Sequence, residues 1–294
     1  MQRDCRIVMN AGTEDFSFVV FGDPQNVNET CKGIVAKVIK EQPDFCVIVG
    51  DMVNDAGDEA QWSRISELVK PLREQCPLYV IPGNHDYQLD GNADKFLSFA
   101  KSPGGKTYFS IESKDICFLF LDSVSDAMRL CEPDVAEERR LERGGCDPNG
   151  EQYSWLVGHL ERAKNGNKKT VLFHHHPIFL PTNVYFCTSS TIKVDQTKSP
   201  PTLGVLLPLL IRHPPEIVFS GHLHTYERCS YSGIDFVTTG ASSYDLWKME
   251  GTVNSFRVIA EEKYHYCRVD VSPSGISVRV IDEDGIEIDS WQRS

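Results

Sequence analysis

No stretch of this 294-residue sequence approaches the roughly 18 consecutive apolar residues that a membrane-spanning helix requires, so no membrane partner is expected. Positive charge is also in short supply. Lys and Arg number 30 against 42 Asp and Glu, a formal net charge of −12. A general binder of phosphate backbones needs clustered cations, so nucleic acid is not an expected partner. An anionic substrate would have to be drawn in by local cations. No G-x-S-x-G elbow and no Walker-type glycine loop occur, which removes support for serine-hydrolase and P-loop chemistry. None of the ten cysteines forms a C-x-x-C pair. Cys46 and Cys117 lie in apolar runs and read as buried free thiols. Cys131 and Cys146, in a polar insertion, form the expected disulfide should the protein be exported. The N-terminal MQRDCRIVMNAGTEDF has no continuous apolar segment before its polar Asn10 to Asp15 run, so no secretory signal is read there. The expectation is a cytoplasmic protein, with an exported mature form as the other reading.

Short runs rich in β-branched and aromatic residues are what the sequence does have, each closed by a turn signal. They are FSFVVFGD (16–23), DFCVIVGD (44–51), LYVIPGNHD (78–86), KTVLFHHHP (169–177) and EIVFSGHLH (216–224). Between them the spacing of apolar residues predicts helices over Asn28 to Glu41, Asp58 to Leu72, Glu151 to Lys164 and Leu203 to His213. Asn28 is the cap of the first, and Pro214-Pro215 stops the last. Alternating strands and helices predict a layered α/β core. Residues 107–123 read as a hairpin across Ser113-Lys114. Together with antiparallel strands around 234–241, 264–285 and IEIDSW, that hairpin would supply a second sheet. Segments 124–149 and 181–202 fit no regular element and read as insertions in a single domain covering 1–294. Long loops of this kind often act as lids or specificity elements.

Every one of the five runs ends in residues able to bind a hard or borderline metal, and ligands gather at the carboxyl ends of strands in open α/β folds. Singly, each ending has a plain structural reading: Asp-Pro in FGDPQ as a turn, VGDMVND as a polar turn, PGNHDY as a loop. Three adjacent histidines in FHHHP are harder to bury and satisfy. Six of the nine histidines fall in these endings, a clustering that scattered core or surface histidines would not produce.

In this order the set resembles the calcineurin-like metallophosphoesterase superfamily, whose motifs are D-x-H/Q, G-D, G-N-H-D/E, H-H-P or H-x-P, and G-H-x-H. The resemblance spans residues 23 to 224. It implies a four-layer α/β/β/α sandwich of two mixed β-sheets flanked by helices, with two metal ions (Mn, Fe or Zn) at the strand ends. It further implies that one metal is held by Asp23, Gln25, Asp51 and His224. The second would share Asp51 and add Asn84, His175 and His222; the family's ligand stands two residues before the proline, which selects His175. His85, after Asn84, would lie near the leaving group, where a side chain with an ordinary pKa near 6.5 suits general acid work. His176 would bond a phosphate oxygen or be a structural neighbour. The implied activity is hydrolysis of a small-molecule phosphomonoester or phosphodiester by a hydroxide bound between two metals.

Two departures narrow the subtype. Gln25 stands where many members place histidine, which implies a weaker neutral oxygen donor. GHLHTYER resembles the ending found in purple acid phosphatases, yet Asn54 stands where those enzymes carry their metal-bound tyrosine, so a purple centre is not expected. GDMVNDAG also departs from the GDYVDRG of Ser/Thr protein phosphatases. The alternatives are a protein phosphatase of that type, a nuclease, which the acidic balance opposes, and a non-catalytic metal-binding scaffold. Scaffold members have typically lost ligand histidines, whereas every expected position here is filled. Specificity is expected from 124–149, 181–202 and 241–256. Tyr244, Trp247 and Met249 could line an aryl or base pocket, or pack over the core. The oligomeric state is not readable.

Overall fold

The computed structural model describes residues 6–8, 15–113, 115–125, 147–179, 184–187, 190–193, 201–249 and 255–294. In chain order the first elements are β1 (Arg6–Val8), β2 (Phe16–Phe21), α1 (Glu29–Lys40), β3 (Phe45–Ile48), α2 (Glu59–Gln75), β4 (Leu78–Val80) and α3 (Asp94–Ala100). Then come β5 (Phe109–Ser113), β6 (Ile116–Phe120), α4 (Glu151–Asn165), β7 (Lys169–Phe173), β8 (Val184–Cys187), β9 (Ser190–Lys193) and α5 (Pro201–Arg212). The chain closes with β10 (Ile217–Ser220), β11 (Tyr226–Tyr231), β12 (Ile234–Thr239), β13 (Arg257–Glu261), β14 (His265–Ser272), β15 (Gly275–Asp282) and β16 (Glu287–Arg293).

These strands build two mixed sheets. One has eight strands in the order β1-β5-β6-β7-β10-β12-β11-β13, the other six in the order β16-β15-β14-β2-β3-β4. Their inner faces bury Phe16, Phe18, Phe45, Phe118, Phe120, Phe173 and Phe219 against one another. Phe18 stacks on Phe45 at 4.8 Å and Phe120 on Phe173 at 4.7 Å between ring centroids, contacts each worth about 0.5–1.5 kcal/mol beyond simple burial. On the outer face of the six-stranded sheet lie α1, α2 and α3; α4 and α5 cover the other sheet. The four-layer expectation therefore holds.

Local chemistry sets the helix starts. Asn28 Oδ1 accepts the Cys31 backbone N–H, and the Asp58 carboxylate accepts those of Ala60 and Gln61, each satisfying donors that a first turn leaves unpaired. Trp62, Ile65, Val69 and Leu72 of α2 face the core, with Leu68 partly buried beside them.

The division of strands differs from expectation. The five motif-bearing runs do not share one sheet: β2, β3 and β4 lie in the six-stranded sheet, β7 and β10 in the other. The hairpin β5–β6 joins β7, whereas β14 pairs with β2. Burial on both faces gives all these strands the same apolar signature, so periodicity could not assign them to sheets. Residues 181–202 are not wholly irregular, since β8 and β9 pair there and α5 begins at Pro201. Strands β1, β11 and β13 and helix α3 also lie outside the elements that the pattern marked. Among the described residues Cys31, Cys46, Cys76 and Cys267 are free and buried, and Cys117 and Cys229 are buried as well. Cys131 and Cys146 lie outside the described residues.

Candidate metal centre

The loops following β2, β3, β4, β7 and β10 meet beyond the carboxyl ends of these strands, and backbone bonds between them fix the meeting. Asp23 N–H donates to Gly50 O at 3.1 Å, and Gly221 N–H donates to His175 O at 2.9 Å. Asp23, Asp51 and His222 all adopt left-handed backbone conformations, with φ of 57°, 54° and 67°. Non-glycine residues rarely do so, and each costs roughly 1–3 kcal/mol, which the surrounding structure must offset. Part of that offset is visible. His222 N–H donates to both oxygens of Asp23, at 3.0 and 3.2 Å, and His85 N–H donates to Asp51 Oδ1 at 2.9 Å. Buried Asp86 accepts the backbone N–H groups of Met52 and Gly83, both at 2.8 Å, locking the β3 and β4 loops together. Gly50, at φ 103°, leaves room for the His175 ring: a Cβ there would collide with Nδ1.

The side chains converge as these loops direct. Asn84 Oδ1 lies 2.9 Å from His175 Nε2 and 3.0 Å from His222 Nδ1. His175 Nε2 is also 3.4 Å from Asp51 Oδ2, and His224 Nε2 is 3.7 Å from Asp23 Oδ1. Asp23, Asp51 and His175 offer ligand atoms within 4.8 Å of one another, as do His175, His176 and His222. Val49 O accepts from His175 Nδ1 at 2.8 Å, so Nε2 is the nitrogen turned to the centre. Gln25 is buried, and its Oε1 has no partner among the described residues. His85 Nδ1 donates to Asn54 O at 2.8 Å.

Burial shapes the charges. It alone would push the Asp51 carboxyl up, but the charges on His175 and His85 hold it well below the usual carboxylate range. Asp23 goes the other way, raised by burial and by Asp51 with only partial relief from His175. Burial disfavours the His175 cation, yet Asp51, Asp23 and Val49 O outweigh it and lift this histidine to about 10. His222 is pulled down to about 3 by burial and the His175 charge, and His224 to about 4, chiefly by burial. The pocket thus favours the ionised form of Asp51 and the neutral forms of His222 and His224, and a neutral imidazole is the form that donates a lone pair to a metal. Carboxylate, imidazole and amide oxygen without thiolate suit Mn, Fe or Zn. The orphaned buried oxygen of Gln25 fits such an ion as well. A bound cation would invert the local pressure on Asp23.

Of the nine residues singled out from the sequence, Asp23, Asp51, Asn84, His175, His176, His222 and His224 are brought together here. His85 is tied to the group through Asp51, and Gln25 lies two residues beyond Asp23. Residues the sequence reading passed over are Asp86, the clamp just described, and Ser123, whose Oγ bonds His176. Asp86 closes the G-N-H-D motif but was given no role, and Ser123 carried no motif signal. The Tyr244 ring leans on His224 at 5.0 Å between centroids, and the serines preceding it anchor that loop. Ser242 Oγ donates to Gly22 O and Ser243 Oγ to Asp23 O.

The profile described as calcineurin-like phosphoesterase matches residues 16–226. A Mus musculus protein named serine/threonine-protein phosphatase CPPED1 is 24% identical over 252 residues, covering 81% of this chain and 72% of its own. A probable cyclic nucleotide phosphodiesterase of Coxiella burnetii is 28% identical over 225 residues, 76% of each chain. Among solved structures, a purple acid phosphatase from Lupinus luteus seeds superposes with a TM-score of 0.76 at 15% identity. It covers 95% of this chain, which in turn spans 54% of that one. At that identity the likeness speaks for the fold.

Proposed function

This chain belongs to the calcineurin-like phosphoesterase family, and from that premise we propose that it is a dinuclear metallophosphoesterase hydrolysing a small-molecule phosphoester. The observation that carries the reading is the convergence of His175 Nε2 and His222 Nδ1 on Asn84 Oδ1, at 2.9 and 3.0 Å, beside the buried carboxylates Asp23 and Asp51. In this reading Asp23, Gln25, Asp51 and His224 hold one ion, while Asp51, Asn84, His175 and His222 hold the other. Two such ions, when bound, activate water and neutralise phosphoryl charge for in-line displacement. Asp51 would be shared between them, and its negative charge would offset their mutual repulsion.

The remaining work falls to the chain's own groups. With Nδ1–H committed to Asn54 O, His85 has Nε2 to deliver a proton to the departing ester oxygen. His176 would donate to a non-bridging phosphoryl oxygen. No side chain is assigned as nucleophile, so no covalent intermediate forms. Relatives named for phosphatase and phosphodiesterase activity both occur, so the test uses both ester types. Protein reconstituted separately with Mn, Fe or Zn is given p-nitrophenyl phosphate and bis(p-nitrophenyl) phosphate. Metal-dependent nitrophenol release, lost in Asp51→Ala, is expected. An unchanged rate in that variant would overturn the proposal.

A further inference from the structure

Ser123 stands just beyond the end of β6, on the strand next to β7, and is almost wholly buried. Its Oγ lies 2.8 Å from His176 Nδ1 and accepts the His176 backbone N–H at 3.2 Å. A hydroxyl has one hydrogen to give and two lone pairs with which to accept. No other acceptor for that hydrogen occurs among the described residues. Were Nδ1 protonated, both groups would offer a hydrogen to the same gap and the buried hydroxyl hydrogen would be left without a partner, at a cost of about 1–3 kcal/mol. The satisfied arrangement has Ser123 donating to Nδ1. In a neutral imidazole the proton then resides on Nε2.

We infer that Ser123 is a positioning residue that fixes His176 as the Nε2–H tautomer, making it a hydrogen-bond donor to a phosphoryl oxygen and removing it from the metal ligands. The inference rests on the phosphoesterase reading for its functional half and on geometry for its structural half. His175, His176 and His222 all bring ring nitrogens within 4.8 Å of one another, and proximity alone does not separate ligand from donor. The Ser123 bond does, because a protonated Nε2 has no lone pair for a metal. The serine is itself held firmly. Gln152 bonds both the N–H and the carbonyl of neighbouring Asp122, at 2.7 and 2.8 Å. The Asp122 carboxylate accepts from Tyr87 Oη at 2.5 Å and from the N–H groups of Val124 and Ser125. Ser123 therefore sits on a short segment fixed from both sides, as a residue that orients another must.

The test reads the ring directly. Nitrogen-15 resonances of His176, assigned by difference against His176→Gln, are recorded for the zinc-reconstituted protein and for Ser123→Ala and Ser123→Thr. Inorganic phosphate affinity is measured by calorimetry on the same samples. The wild-type ring should show Nδ1 unprotonated and Nε2 protonated, with Thr preserving both. Ala should mix the tautomers and weaken phosphate binding about five- to tenfold, the worth of one hydrogen bond. KM should rise more than kcat falls. A protonated Nδ1 in the wild-type ring, or an alanine variant with unchanged ring signals and phosphate affinity, overturns the inference. Expected ring signals and phosphate affinities in a protein without hydrolytic activity would count against the phosphoesterase reading while upholding the role of Ser123.

Discussion

Asn84 and His175, 91 residues apart in sequence, meet through Oδ1 and Nε2 at 2.9 Å. They arrive from different sheets, β4 on one side and β7 on the other, so the bond exists only once both sheets have packed face to face. Asn84→Ala removes the acceptor on which His175 and His222 both converge. Metal content is expected to fall from two ions per chain to one. Hydrolysis should drop by more than the roughly 10–100-fold that losing an outer-shell partner costs. Elemental analysis and initial rates check this together.

Gly50→Ala should be more damaging than its size suggests. The backbone is at φ 103°, and the new methyl would meet the His175 ring. A destabilisation beyond about 1 kcal/mol is expected in urea unfolding, together with loss of bound metal. Gly33→Ala is the control, because a Cβ there meets nothing within 4 Å. It should be neutral or slightly stabilising.

His265 gives the fold a pH dependence away from the centre. Burial holds this histidine down at about 4, only partly relieved by its Nδ1–H bond to Lys263 O and by Asp282. Its ordinary value is about 6.5. An unfolded chain therefore takes up a proton on falling through 6.5 that the folded chain refuses until about 4. The neutral buried ring contributes fully above pH 6.5, and that contribution declines as pH falls to 4, by at most about 3 kcal/mol. The urea midpoint of His265→Phe should decline less over this range than that of the parent protein.

Phe18→Ala tests the layer between the sheets. Phe18 is fully buried against Phe45 and Phe118, and truncation should cost about 3–5 kcal/mol. Denaturant unfolding would show it.

Much of this arrangement was legible because the chemistry sits where strands end. FGD, VGD, GNH, HHH and GHLH each close an apolar run, and the resemblance carried by their order implied the residues that the fold assembles. Helix caps at Asn28 and Asp58 were equally readable, since they depend on local bonds. What escaped were relationships set by tertiary packing. Apolar runs buried on both faces do not say which sheet they join, so β7 and β10 could not be separated from β2, β3 and β4. YERCSY, with its Glu227 buried against Arg257, lacks the apolar signature of a strand and was missed as β11. Asp86 reaches the backbone amide of Met52 and Ser123 a ring nitrogen of His176, residues far along the chain, contacts with no periodicity to betray them.

The central claim is that one buried carboxylate, Asp51, serves two metal ions that together support phosphoester hydrolysis. The most direct measurement is metal content per chain, determined alongside nitrophenol release, for the parent protein and Asp51→Asn loaded with Mn, Fe or Zn. Two ions per chain with metal-dependent turnover in the parent, and loss of both stoichiometry and turnover in the variant, is the result predicted. A parent protein that binds no metal, or a variant that keeps two ions and full turnover, would contradict the account.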